Sequence, residues 1–493
     1  MATAAGESGL CRVPNFIDGS DAEPASGDWC EKRSPSDGAM QALFARSRTD
    51  DVNAAVTAAS RSQPSWADVS PVERGDIIRR SAELLRDATE ELVGIVHRET
   101  GKPRREARNE LASAIEMGYF VAGEGRRLYG KTTTSAVPNK TVSFIRSPVG
   151  VAGLIVASNT PLPNYAWKVF PALICGNTAI LKPSEDTPES AHCFARLLHE
   201  AGLPAGVLNV VQGLGAEAGA ALVSDPRVDL ISFTGSSTVG RNVQMVAGGR
   251  LAKVCLELGG KNPLIVCDDA DLDNAAQAAA LSAFSNAGQR CAAGSRLIIF
   301  DKVYDEFRAR LLAVTHALRV GSEDEADLGP VINLRQLTSM LRAINSALDR
   351  GAKLTAGGHR IEDGGRGSGY FLEPTLLEDV AVGDELSATE LFGPISCLYR
   401  VNDFDEALDL ANDSPYGLTA AVHTTSIHRA MEFARKIRAG MAVVNGPTFG
   451  SEPHMGFGGV KQSGNGFREA GTEALDVFSE WKSVCVSHDR ART

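Results

Sequence analysis

Residues 150–185 read GVAGLIVASNTPLPNYAWKVFPALICGNTAILKPSE. The run 151–157 is short and almost wholly apolar, the pattern of a strand buried on both faces. Residues 165–173 carry apolar side chains at helical spacing. The run 178–182 is again strand-like and stops at Pro183, which has no N–H to give to a sheet. Strand, helix, strand in that order means parallel strands joined by a crossover helix, with both faces of the sheet covered. A ligand then sits at the carboxyl ends of the strands.

The alternation continues outward in both directions. Residues 189–201 read as a helix closed by Gly202 and Pro204, 207–211 as a strand, 216–223 as a helix and 230–234 as a strand leading to Gly235-Ser236. A second alternating series runs from Leu264 to about Val444. It includes strands over 262–267 and 296–300 and helices over 272–286, 303–317 and 334–349. Glycine and charge dominate 357–369, an exposed loop. Upstream, 50–127 reads as helices, with Ile77, Ile78, Leu84, Leu85, Leu92, Val93 and Val96 at helical spacing. Residues 128–147 are rich in Thr and Val around Pro138-Asn139 and read as a hairpin. The tail 475–486 is apolar and strand-like. There is no internal repeat.

At 493 residues the chain exceeds one ordinary core, so at least two domains are expected. A hydrophobic fraction of 43% and a charged fraction of 23% fit a globular protein. The net charge of −11 disfavours a phosphate backbone, so no nucleic-acid partner is expected. The nine cysteines form no Cys-x-x-Cys pair, which argues against a disulfide framework and a structural metal site. The N-terminal MATAAGESGL carries Glu7 and no apolar core for a signal peptide. The apolar run at 149–157 is about half a membrane span. The expectation is a cytoplasmic protein without membrane contact.

Several short segments carry chemistry. Gly213-Leu-Gly215-Ala-Glu-Ala-Gly219 has one residue too many for a dinucleotide fingerprint. In Phe233-Thr-Gly-Ser-Ser-Thr-Val-Gly240 a strand ends at Gly235 and Ser236 can open a helix. That helix start suits a phosphate, although Ser236 is also an ordinary N-cap. Lys182-Pro-Ser-Glu185 closes a strand of the same sheet and offers a charged pair, for ribose hydroxyls or as a solvated ion pair. Gly288-Gln-Arg-Cys291 follows an apolar helix; a lone Cys is either a small core residue or a nucleophile. In Leu256-Glu257-Leu258-Gly259-Gly260-Lys261 a carboxylate lies among apolar neighbours. Burial would raise its pKa and suit it to proton transfer; an exposed strand edge would leave it ordinary.

Together these segments resemble the aldehyde dehydrogenase superfamily over nearly the whole chain. The matching pieces are Ala157-Ser-Asn159, Lys182-Pro-Ser-Glu185, Phe233-Thr-Gly-Ser236, Glu257-Leu-Gly-Gly-Lys261, Gly288-Gln-Arg-Cys291, Glu390-Leu-Phe-Gly-Pro394 and Gly458-Gly-Val-Lys-Gln-Ser-Gly464. The resemblance implies Cys291 as nucleophile, Asn159 as oxyanion donor and Glu257 as base for hydrolysis of a thioester. It implies NAD, in preference to NADP, held by Ile155, Lys182, Glu185, Gly215, Gly235, Ser236, Gly240, Leu258, Gly259, Glu390 and Phe392. Glu185 would stand where a 2′-phosphate of NADP would sit. Lys168 and Glu469 match positions that relay protons from Glu257. No metal is implied.

The implied fold is α/β. It combines a Rossmann-like NAD-binding domain (10–127 and 148–256), an α/β catalytic domain (257–474) and a small β oligomerisation arm (128–147 and 475–487). Both arm segments are strand-like yet outside the alternating series, and unpaired strands need a partner. A homodimer or homotetramer is expected.

The chain departs from the family pattern at three places. Ser158 stands where a Trp is common, Gly456 where a Pro precedes Phe457-Gly-Gly, and 448–455 is one residue longer. Thr160, Asn164, Trp167, Arg290, Thr448 and Phe449 should surround the substrate, and their polarity points to a small polar aldehyde or a semialdehyde with a carboxylate for Arg290. A cationic aminoaldehyde drawn by Glu452 is the rival. Two other readings are a CoA-acylating dehydrogenase and a catalytically silent homologue. The first generally lacks the Glu at 257; the second would be expected to lose Cys291, Glu257 or Asn159.

Overall fold

The computed structural model describes residues 11–488. Residue 10, the expected domain start, and the decapeptide read for a leader lie outside the described residues. Two seven-stranded sheets carry the architecture, which is α/β as expected. The first runs Lys253–Glu257, Leu230–Thr234, Val151–Ile155, Thr178–Lys182, Leu208–Val210, Asn15–Ile17, Ser20–Ala22. Its first five strands are parallel and the last two are antiparallel additions.

The two-residue period of a strand sorts side chains between the faces. Ala152, Leu154 and Leu181 enter one core with helices Pro71–Asp87, Arg104–Glu124 and Pro161–Ile174. Val151, Ile155 and Ile180 enter the other, with helices Thr49–Asp68 and Ser237–Gly249. Burying each such Leu or Ile contributes about 1.5–3 kcal/mol.

The second sheet runs Lys353–Ala356, Thr375–Glu378, Ile395–Val401, Gly294–Phe300, Asn262–Val266, Thr419–His423, Met441–Val444. All its pairings are parallel except that of the edge strand Lys353–Ala356. Leu264, Leu297 and Ile299 pack with helices Leu272–Phe284 and Asp301–Ala317 on one face. Ile265 and Ile298 pack with helix Leu334–Asp349 on the other.

A third sheet joins Ser479–Ser487, Lys140–Pro148 and Lys131–Thr133, all antiparallel. Its hairpin turns at Asn139, whose φ is +60°. The tail differs from the all-strand reading: Ala474–Phe478 is a helical turn that buries Ala474, Leu475, Val477 and Phe478 before the strand begins. The expected helix over 216–223 opens as a wide π-helical turn, Gly215–Gly219, and becomes regular only over Ala220–Ser224. A fourth small sheet, Cys11–Val13, Met40–Ala45 and Trp29–Arg33, has no counterpart in the sequence reading. Its strands are short and mix polar with apolar residues, so periodicity carries little signal there.

Candidate active site

The carboxyl ends of the first sheet meet the amino ends of the second. Ile155, Lys182 and Glu257 are each the last residue of a parallel strand, with Ile155 opposite Lys182 and Thr234 opposite Glu257. Asn262 and Gly294 open facing strands of the second sheet. Cys291 lies in the loop just before Gly294.

That loop is where the expected helix over 272–286 fails. The helix ends at Phe284, and Asn286, Ala287 and Gly288 follow in the left-handed region, with φ of 53°, 52° and 65°. Asn tolerates this conformation; Ala287 costs roughly 1–2 kcal/mol. At 288 a side chain is excluded twice over, because a Cβ there would lie 2.1 Å from the Gly393 carbonyl oxygen.

Bonds from all sides hold the strained turn. Gln289 accepts the Ile332 N–H at 2.9 Å and donates to the Pro330 carbonyl at 3.2 Å. Every carbonyl from 289 to 293 has a donor. Asn159 Nδ2 reaches Gln289 (3.0 Å), the Ala293 N–H reaches Arg290 (3.0 Å), Thr448 Oγ1 reaches Ala292 (2.6 Å), and Asn262 Nδ2 serves Cys291 and Ala293 at 2.8 and 2.9 Å. The Cys291 N–H has no acceptor among the described residues.

Asn159 is oriented by its neighbours. Its Oδ1 accepts from Asn164 Nδ2 at 3.3 Å, and Asn164 Nδ2 also donates to the Ala157 carbonyl at 3.2 Å. The Asn159 amide nitrogen therefore faces the Cys291 loop, with one N–H bound to Gln289 and the second without an acceptor among the described residues.

Burial pushes the Cys291 thiol up to about 12, and the charges of Glu390 and Glu257 push the same way. The Ala292 N–H works against them by favouring the thiolate. Burial, then the nearby Glu469 charge, raises the Glu257 carboxyl well above the usual carboxylate range. Both Glu257 oxygens are buried and have no hydrogen-bond partner among the described residues. Behind it, Lys168 is ion-paired with Glu469, and Lys168 Nζ also donates to Ser232 Oγ at 2.7 Å. The Cys255 thiol donates to Glu469 at 3.7 Å. The segment after Phe457 folds over this cluster, pairing Gly464 with Glu257 and Phe457 with Glu469.

The residues expected to hold a dinucleotide lie along the same strand ends. A Cβ on Gly259 would lie 1.9 Å from Glu390 Oε2, so only glycine lets the carboxylate approach. Glu390 Oε1 accepts the Gly260 N–H at 3.0 Å, and burial raises its carboxyl to about 7. Phe392 stands beside it at φ +59°, an unusual conformation for a bulky residue. Ser236 caps its helix by accepting the Val239 N–H at 3.4 Å. Nothing crowds the space a Cβ would take at Gly215. Lys182 is buried, donates to the Pro183 carbonyl at 2.7 Å and lies 3.8 Å from half-exposed Glu185. Gly235 would clash with Phe233, and Gly240 with Leu258, if either carried a Cβ. This donor set and glycine-lined cradle fit a dinucleotide.

The expected substrate residues have mixed surroundings. Trp167 packs edge-on against Phe457, ring centroids 5.5 Å apart. Thr160 opens helix Pro161–Ile174 and accepts the Asn164 N–H at 3.1 Å through its carbonyl. Asn164 spends its side-chain N–H groups on Asn159 and Ala157, and Thr448 its hydroxyl on the Cys291 loop. Arg290 and Phe449 remain partly exposed together. Sequence reasoning passed over Asn262, Gln289, Ser232 and Cys255. A polar residue opening an otherwise apolar strand was the available signal for Asn262. The others carry none, because their partners are distant in sequence. Among the described residues no cluster of His, Cys, Asp and Glu is placed to hold a metal ion, and no helix is long and apolar enough to cross a membrane.

Comparison with known proteins agrees with this geometry. The model of the aldehyde dehydrogenase family matches residues 22–484. An alpha-ketoglutaric semialdehyde dehydrogenase of Bacillus subtilis is 37% identical, covering 96% of this chain and 97% of that protein. An alpha-ketoglutarate semialdehyde dehydrogenase of Haloferax volcanii is 38% identical, covering 96% and 99%. Among solved structures, betaine aldehyde dehydrogenase of Staphylococcus aureus in complex with NAD+ superposes with a TM-score of 0.94 at 30% identity, covering 96% of this chain and 95% of that one.

Proposed function

The chain belongs to the aldehyde dehydrogenase family, and on that footing we propose that it oxidises a small polar semialdehyde to the carboxylic acid with NAD, through a thioester on Cys291. The observation that carries the hydrolytic chemistry is Glu257, a buried carboxyl with no hydrogen-bond partner on either oxygen among the described residues. It stands ready to receive a water and its proton.

The Cys291 thiol loses its proton to solvent, and its sulfur bonds the aldehyde carbon while the carbonyl π pair moves to oxygen, giving a tetrahedral adduct with charge there. The spare N–H of Asn159 and the Cys291 N–H are the donors for that charge, and fixed donors are most effective where charge develops. When bound, NAD supplies the acceptor for the hydride that leaves. The thioester is then cleaved by water that gives its proton to Glu257, whose raised pKa makes it a better base than an exposed carboxylate. Lys168 and Glu469 lie behind Glu257 as the path by which the proton leaves.

Lys182, Glu185, Ser236, Gly259 and Glu390 support the dinucleotide reading, and Glu185 supports NAD over NADP. The semialdehyde reading is supported by the partly exposed Arg290 guanidinium and by the names of the two relatives. Purified protein mixed with NAD and succinic semialdehyde, an oxo-carboxylate semialdehyde, an aminoaldehyde or hexanal, followed by NADH absorbance, tests this reading. Preference for hexanal would overturn it. The three-stranded sheet is proposed as an assembly arm. Its Trp481 lies half-exposed between Lys131 and Arg146, and sedimentation at micromolar concentration showing only monomer would refute that role.

A further inference from the structure

One segment beside the reaction centre reaches both of its walls. Helix Arg104–Glu124 places Glu106 and Glu110 one turn apart on one face, and Lys102 stands just before its first turn. Lys102 Nζ donates to Glu110 Oε2 at 2.6 Å and to the Asn159 carbonyl at 2.7 Å. Both side chains of this pair are about 5% exposed. Glu110 Oε1 accepts the Leu162 N–H at 3.2 Å, in the first turn of the helix that follows Asn159. Glu106 Oε1 accepts the N–H of left-handed Asn286 at 2.8 Å, and Asn286 Nδ2 returns to the Asn159 carbonyl at 3.0 Å.

A buried ion pair adds little net stability, because desolvating two charges offsets their attraction. What this pair does supply is a fixed, charged donor on one backbone carbonyl. That carbonyl belongs to the residue whose side chain faces the nucleophile loop. The same carbonyl takes its second bond from the loop itself, so Lys102 and Asn286 set the distance between the oxyanion donor and Cys291 from opposite sides.

We propose that Lys102, neutralised by Glu110, is a positioning residue for the reaction: it holds Asn159 where its free N–H meets the developing oxyanion. This rests on the reading of Asn159 as oxyanion donor. Misplacement of a fixed donor by about 1 Å is enough to cost roughly a hundredfold in rate.

The test is a double-mutant cycle on the full-length protein. It compares wild type, Asn159→Ala, the pair variant Lys102→Met/Glu110→Leu, and the combination. Removing both charges together avoids leaving one buried and unpaired; if that variant does not fold, Lys102→Gln/Glu110→Gln takes its place in the cycle. The readouts are first-turnover NADH formation per titrated thiol and NAD affinity by fluorescence. The pair variant should slow the first turnover about ten- to a hundredfold with NAD affinity unchanged, and the combination should be no slower than Asn159→Ala alone. Multiplying effects in the combination, or a native first-turnover rate in the pair variant, would overturn the proposal. A native rate in Asn159→Ala would instead remove the oxyanion reading, and the positioning role with it.

Discussion

The Arg290 guanidinium, one residue before Cys291, lies over the ring of Phe449, 4.8 Å from its centroid. Its Nε donates to Ser285 Oγ at 3.1 Å, and Nη2 is 4.0 Å from Glu106 Oε1. That ion pair is at the limit of contact, so donors remain for a substrate carboxylate. Arg290→Ala should lower kcat/KM for a carboxylate semialdehyde by about tenfold or more, the scale of a charged hydrogen bond, and change an uncharged aldehyde little. Arg290→Lys should restore only part of the loss, because an ammonium has neither the planar stack nor the fork. An unchanged substrate profile in Arg290→Ala would remove Arg290 from substrate binding.

On the proposed mechanism Cys291 and Glu257 act at different stages. Cys291→Ala should abolish turnover while NAD binding, followed by fluorescence, persists. Glu257→Gln should give one burst of NADH and then stall with acyl enzyme on Cys291, visible as a mass increment. Absence of the burst would show that Glu257 is needed before the hydride leaves.

The pH dependence follows from the raised Glu257 carboxyl. A base must be ionised, so hydrolysis is lost as pH falls through that pKa and regained as pH rises. The Glu469 charge contributes to the elevation. Glu469→Gln removes it while keeping an amide for Lys168, so the acid limb of kcat should move to lower pH. A limb that stays in place, or moves upward, would separate Glu257 from Glu469.

Cofactor choice should turn on Glu185. It is partly exposed and 3.8 Å from Lys182, so replacing it removes a repelling charge and leaves the buried ammonium. Glu185→Ser should raise kcat/KM with NADP by about an order of magnitude relative to NAD, the scale of a screened like-charge contact. Equal efficiency of the wild type with both cofactors would contradict the premise.

Much of the fold was legible. The strands at Thr178–Lys182 and Leu230–Thr234 have the same bounds as their sequence readings, because a parallel strand buried on both faces is an uninterrupted apolar run with a sharp end. The helix over 272–286 was read too long because Ser285, Asn286 and Ala287 carry no local signal against a helix. The left-handed turn at Asn286 and Ala287 is held by distant groups: the Glu106 carboxylate takes the Asn286 N–H, and the Pro330 carbonyl takes the Gln289 side chain just beyond.

The chain by itself determined the alternation of strands and helices over its middle and the carboxyl-end location of a ligand. The local segments offered Cys291 and Glu257 as candidates, and the resemblance added Asn159. Only the tertiary structure decided their states. Leu256-Glu257-Leu258 is compatible with an exposed edge or a sealed pocket; the segment folding back from Phe457 to Glu469 seals it and leaves both oxygens unpartnered. Asn164, expected at the substrate, donates to Asn159 Oδ1, a contact its sequence context does not announce. Lys102 gave no sign at all, since its partner carbonyl lies 57 residues away. Periodicity records which face of an element is buried. Desolvation, charge coupling and the sharing of one carbonyl between two donors arise only when distant segments are packed together.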